Sequence, residues 1–149
     1  MYLELEQLRF EDKLAYSFDI DNSIDTEALT IPTMLIQPYV ENALKHGLLH
    51  KKDNRILTVT LKKSDTENAI ICEVTDNGIG RKKALELKQR KDKTYKPFST
   101  KAIEDRLGLL NYGREKHIGI TIEDLYESEI NIPSGTKVII RIPAGKYNQ

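Results

Sequence analysis

Residues 31–47 constrain this chain more than any other stretch, because they carry a helical period and a dense set of polar groups together. At about 100° per residue, Ile36, Tyr39, Val40, Ala43 and Leu44 fall on one side of a helix, and Glu41, Asn42 and Lys45 on the other. The spacing predicts an amphipathic helix with a chemical face. Pro32 suits its first turn, where a missing N–H costs nothing, and Gly47 suits the left-handed position that ends a helix. Pro38 removes one backbone bond and is expected to bend the helix or mark a late start. An amide oxygen is a hard ligand fit for Mg²⁺, a carboxylate can act as base or hold a water, and an ammonium can meet phosphate oxygens. On these residues alone the simpler reading is a solvated face with a Glu41–Lys45 pair, worth about 0.2–0.5 kcal/mol.

A second stretch shifts that balance. An apolar run ends in Asp76-Asn77-Gly78-Ile79-Gly80, where a carboxylate leaving a strand is followed by glycines that permit a tight turn and close approach of backbone to a ligand. Asp-Asn-Gly by itself is an ordinary turn. Paired with Glu41-Asn42, Lys45-His46-Gly47 and the later Gly135-Thr136, it resembles the N box, first glycine box and closing Gly-Thr of the ATPase family of gyrase, Hsp90, histidine kinases and MutL. Leu3, Leu5, Leu8 and Phe10 among charges, then Ile31-Pro32 and the run from Gln37 to Gly47, narrow the resemblance to LytS-type sensor histidine kinases, over nearly the whole chain.

Charge and composition bound the alternatives. At 149 residues one domain is expected, large enough to bury roughly two thirds of its unfolded surface. Lys and Arg balance Asp and Glu at 23 each, so total charge asks for neither nucleic acid nor a membrane surface. The single cysteine, Cys72, lies in an apolar strand, as a small buried side chain in a reducing compartment would. No run approaches the ~18 apolar residues of a membrane span.

Along the chain, Leu14, Tyr16, Phe18 and Ile20 alternate with polar or small residues, the period of a half-buried strand. Leu57, Val59 and Leu61, then Ile70, Cys72 and Val74, read as a hairpin about the turn residues 64–68. Residues 81–96 hold eight basic side chains against two acidic ones, Glu86 and Asp92. A cationic lid over an anionic ligand accounts for that excess; so would a solvated helix and loop. Ile103, Leu107, Leu110 and Arg114 predict a helix over residues 101–117. Ile118, Ile120 and Ile122 predict a strand, residues 124–135 a loop, and Val138, Ile140 and Ile142 the last strand before Pro143.

The resemblance implies an α/β (α+β) two-layer sandwich: a mixed, mainly antiparallel sheet covered on one face by helices, the Bergerat ATP-binding fold. It implies a helical tail of a phosphoacceptor domain at residues 1–12 and a catalytic domain at residues 13–149, with an ATP lid at about 81–100. The implied function is binding of Mg²⁺-ATP and donation of the γ-phosphoryl group to a histidine in upstream helices of the same kinase, absent from this chain. Asn42 would ligate Mg²⁺ and Glu41 would be catalytic, assisting the acceptor or a Mg²⁺-bound water. Lys45 and His46 would contact phosphate or ribose, and Asp76 would accept from the adenine amino group. Gly78 and Gly80 would shape the pocket, with Thr136 supporting Asp76 through water. The family's second glycine box is replaced by Ser99, Thr100 and Lys101, and a helix N-terminus can hold phosphate without glycine. Leu107-Gly108-Leu109-Leu110-Asn111 looks similar to that box but falls inside the expected helix. The implied partners are the phosphoacceptor helices and a response regulator, with no nucleic acid. The full-length protein would be a membrane-anchored homodimer, with this part cytoplasmic at an inner membrane. An anti-sigma-type serine kinase, or a nucleotide-binding module without transfer activity, are the rival readings.

Overall fold

Strands of period two and helices of period 3.6 alternate in this chain, and their apolar sides can all be buried only against one another. The computed structural model describes residues 14–24, 33–48, 50–52, 54–93, 98–127 and 132–144, with side chains described for all of these except 33, 34 and 98–103. The elements are β1 (Leu14–Ile20), α1 (Thr33–Asn42), a π-helical turn (Ala43–Leu48), β2 (Arg55–Lys63), β3 (Ala69–Asp76), α2 (Arg81–Lys91), α3 (Phe98–Asn111), β4 (Gly119–Tyr126) and β5 (Pro133–Pro143). The helical tail expected at residues 1–12 and the first-turn proline, Pro32, lie outside the described residues.

The strands form one sheet in the order β1-β2-β3-β5-β4. β1 runs parallel to β2, and the other neighbours are antiparallel, so the sheet is mixed and mainly antiparallel as expected. Register sets one face. Leu61, Cys72 and Ile140 lie abreast, as do Val59, Val74 and Val138, and Leu57, Asp76 and Thr136. Against these rows pack Leu35, Tyr39, Val40, Ala43, Leu44 and Leu48, with Leu107 and Leu110 of α3 at the margin. Leu44, Leu48, Leu57 and Ile140 are wholly buried, each contributing about 1.5–3 kcal/mol. Cys72 is also fully buried at the centre of the sheet, and burial pushes its thiol up to about 12. The opposite face mixes Ile56, Ile71 and Ile139 with polar residues, among them Lys62 paired to Glu73 at 3.2 Å.

Several local expectations are corrected. The α-helix stops at Asn42 and continues as the π turn, which puts both Gly47 and Leu48 against the sheet. Gly47 is not left-handed; the glycines with positive φ among the described residues are Gly80, Gly113 and Gly135. Gly47 is needed for space instead, because a Cβ there would lie 2.9 Å from Asp76 Oδ1. Pro38 does not mark a late start, because α1 begins five residues earlier at Thr33. α3 starts at Phe98 and ends at Asn111, earlier at both ends than its apolar period suggests. Asn111 ends it by bridging to the next strand: its Oδ1 accepts from Ile118 N at 2.8 Å and its Nδ2 donates to Ile118 O at 3.1 Å. The loop expected over 124–135 is shorter, because β4 runs to Tyr126 through a bulge and β5 begins at Pro133. At the edge, Phe18 is 54% exposed despite its alternating position, with its ring edge-on to Tyr16 at 6.3 Å.

Candidate nucleotide site

The site forms where the π turn, the end of β3 and the start of β5 meet. β3 delivers Asp76 to the inner face in the row between Leu57 and Thr136. Asp76 is 5% exposed, and its Oδ1 accepts from Gly78 N at 2.8 Å. Burial raises its pKa from 3.8 to about 6, against the opposing pull of the Gly78 and Thr136 backbone groups and the Lys51 ammonium. At neutral pH it is therefore an ionised, desolvated acceptor at the floor of the site.

Three glycines make room for it. Gly47 lies over the carboxylate, a Cβ on Gly78 would collide with the main chain of Gly47, and a Cβ on Gly135 would overlap the carbonyl of Asp76. Gly135, at φ +139°, also takes a backbone conformation that only glycine enters without strain. Ile79 N donates to Gly47 O at 3.3 Å, which joins the glycine turn to the helix end. Gly80, at φ +84°, opens α2.

The turn is braced from outside by residues that the sequence analysis left unassigned. Asn77 Oδ1 accepts from Ile56 N at 2.8 Å, and Asn77 Nδ2 donates to Asn54 O at 2.7 Å. Lys51 Nζ donates to Asn77 O at 2.9 Å. The signal was an asparagine beside a turn glycine, a residue type whose side chain commonly bonds nearby backbone.

On the helical side, Glu41 and Asn42 are half-buried at the end of α1, Lys45 is exposed and His46 is half-buried in the π turn. Gln37 Nε2 donates to Glu41 Oε1 at 3.1 Å, while among the described residues Glu41 forms no ion pair with Lys45. The carboxylate is oriented along its own helix rather than neutralised. Burial, then Lys88, His50 and Lys45, hold the His46 imidazole below its usual pKa, so it is neutral at pH 7. Thr136 is buried opposite Asp76, adjacent to it in register. The structure brings Asp76, Gly47, Gly78, Gly135 and Thr136 together at one end of the sheet, with Lys45 and His46 in the π turn that carries Gly47, Glu41 and Asn42 at the end of α1 before it, and Gly80 at the start of α2. Ser99, Thr100 and Lys101 lie in the first turns of α3, and their side chains are outside the described set.

A buried carboxylate under close-packed glycine backbone suits a hydrogen-bond donor such as an amino group, which would pair its desolvated oxygens. Among the described residues no group of three or more His, Cys, Asp and Glu side chains converges to hold a metal.

Residues 30–146 match the family of histidine kinase-, DNA gyrase B-, and HSP90-like ATPases. The chain is 32% identical over 117 residues to the sensor histidine kinase YpdA of Escherichia coli K12, covering 78% of this chain and 20% of that protein. It is 30% identical over 154 residues to the sensor protein LytS of Staphylococcus saprophyticus, covering 95% of this chain and 22% of that protein. The chain spans about a fifth of the length of both relatives. Among solved structures, the mycobacterial sensor histidine kinase MprB superposes with a TM-score of 0.53 at 16% identity, over 95% of this chain and 88% of that one. That likeness shows a common fold.

Proposed function

The chain belongs to the histidine kinase-, DNA gyrase B-, and HSP90-like ATPase family, and we propose from this that it is the ATP-binding catalytic domain of a two-component sensor histidine kinase. The single observation that carries the reading is Asp76: a buried carboxylate packed under glycine backbone, with Glu41 and Asn42 at the end of α1 and Lys45 in the π turn that follows. Asp76 accepts the adenine amino group, its geometry fixed by the Gly78 N–H. Guanine, which has a carbonyl oxygen where adenine has that donor, is refused because two acceptors would face each other. Lys45 and His46 contact phosphate or ribose, Lys45 as a point charge.

ATP supplies the transferable phosphoryl group, and Mg²⁺ held by the Asn42 amide would offset the phosphate charge. Phosphoryl transfer depends chiefly on positioning and charge neutralisation, so the chain's own work is to orient. Glu41, aligned by Gln37, accepts a proton from the acceptor group or fixes a water beside the metal. Ser99, Thr100 and Lys101 are proposed ATP-binding residues in the first turn of α3, where backbone N–H groups favour anions. Thr136 bridges to Asp76 through water.

The acceptor is a histidine on helices of the same kinase, upstream of residues 13–149, and a response regulator takes the phosphoryl group onward. On this reading the whole protein is a membrane-anchored homodimer with this domain in the cytoplasm. The test is calorimetry of the chain with Mg²⁺-ATP and Mg²⁺-GTP, beside labelling with γ-³²P-ATP. ATP should bind, GTP should bind at least tenfold more weakly, and the chain alone should take up no acid-labile phosphate. Equal affinity for the two nucleotides, or stable phosphate on His46, His50 or His117, would overturn the assignment.

A further inference from the structure

The glycine turn leaves β3 at Asp76, crosses the entrance of β5 and delivers Arg81 to β4. Gly80 passes directly over Pro133, and a Cβ on it would lie 3.1 Å from the Pro133 Cβ. Arg81 then donates from Nε to Asp124 Oδ1 and from Nη2 to Asp124 Oδ2, both at 2.8 Å. Asp124 faces Thr136 across the β4–β5 ladder, and Thr136 faces Asp76 across β5–β3. The turn and the ion pair therefore close a ring around the pocket floor: Asp76, the glycines, Arg81, Asp124, Thr136 and back to Asp76.

α2 has little else to fix its start. It has 11 residues, near the length at which isolated helices are marginal, and its N-cap, Gly80, makes no side-chain cap bond. Its first turn contains no acidic residue, and Arg81 puts a cation where the helix dipole favours an anion. Its one fully buried side chain is Ala84. The Asp124 carboxylate, brought from 43 residues away, supplies the missing anion, and the two parallel bonds fix direction as well as distance.

We propose that Arg81 and Asp124 form a latch that ties the base of α2 to the outer strand β4 and holds the turn over Asp76 in place, making both positioning residues for the nucleotide site. The inference builds on the ATP-binding reading, but the latch itself is defined without nucleotide. Both side chains are partly exposed, Arg81 at 52% and Asp124 at 38%, so the latch is weak enough to open.

The test compares the parent with Asp124→Asn, Arg81→Gln and the charge-exchanged double variant carrying Arg81→Asp and Asp124→Arg. Amide hydrogen exchange without nucleotide should quicken two- to fivefold over residues 79–85 in each single variant, with β3 and β5 unchanged, and return to within twofold of the parent in the double variant. ATP affinity should fall by a similar factor in the single variants and recover in the double. Unaltered exchange in Asp124→Asn, an increase spread evenly over the whole sheet, or a double variant no better than the singles would overturn the latch. If the parent binds no ATP, the function proposed above fails, and the exchange measurements still decide the latch by themselves.

Discussion

Replacing Asp76 by asparagine should separate what the carboxylate does for binding from what it costs the fold. The side chain is buried and its pKa stands at about 6 in the folded protein against 3.8 ordinarily. Below pH 3.8 both folded and unfolded states hold the proton, and the group adds nothing to the pH dependence. Between 3.8 and about 6 the unfolded chain ionises first, so the folded state binds more protons and loses stability as pH rises. The full loss is about 3 kcal/mol at 1.36 kcal/mol per pH unit, and about 2 kcal/mol of it falls between pH 4.5 and 7.5. Asparagine has no such titration. Urea unfolding of parent and Asp76→Asn at both pH values should therefore show the difference between them moving by about 2 kcal/mol in the variant's favour as pH rises. Other titrating groups, His46 and His50 included, are common to both proteins and cancel. The same variant should bind ATP ten- to a hundredfold more weakly, through loss of a charge-assisted bond of about 1.5–3 kcal/mol. A stability difference that stays flat with pH would refute the buried-carboxylate argument; undiminished ATP affinity would refute the adenine contact.

Three further outcomes are expected. Glu41→Gln should keep ATP affinity within a few-fold while lowering single-turnover transfer in a chain that restores the phosphoacceptor helices, and parallel loss of both would make Glu41 a binding residue. Gly135→Ala should cost about 3–5 kcal/mol in urea titrations, since it adds backbone strain and an overlap with the Asp76 carbonyl, whereas Gly108→Ala, with open space around it in α3, should gain about 0.5–1 kcal/mol. Saturating ATP should slow amide exchange across α2 if its basic residues meet the triphosphate, and an unchanged profile would mean that α2 does not serve as a lid.

The parts of this fold legible in the sequence are those set by local periodicity. The strand pattern of Leu57, Val59 and Leu61 against Ile70, Cys72 and Val74 needs only side chains two residues apart, and the structure pairs these strands as a hairpin. Residues fixed by distant partners were not legible. Gly47 reads as a helix stop because glycine commonly is one, yet it is required by a carboxylate 29 positions later in the chain. Arg81 reads as one cation in a basic run, and only the return of β4 beside β5 gives it Asp124. The parallel pairing of β1 with β2 likewise depends on a crossover through α1 that alternation within β1 does not encode. Gly135 and Thr136 were found by their resemblance to a closing Gly-Thr, while the overlap that forbids any other residue at 135 is visible in three dimensions alone.

The position of Cys72 gives the molecule a built-in reporter of its own opening. With the thiol pushed up to about 12, about one molecule in ten thousand carries the reactive thiolate at pH 8, and the side chain has no exposed surface through which a reagent can reach it. Cys72 lies midway along β3 on the face covered by the helical layer, so access requires that layer to lift from the sheet rather than the edges to fray. Alkylation in native buffer would then proceed at the pace of that opening, and its free energy could be read from a single unmodified side chain.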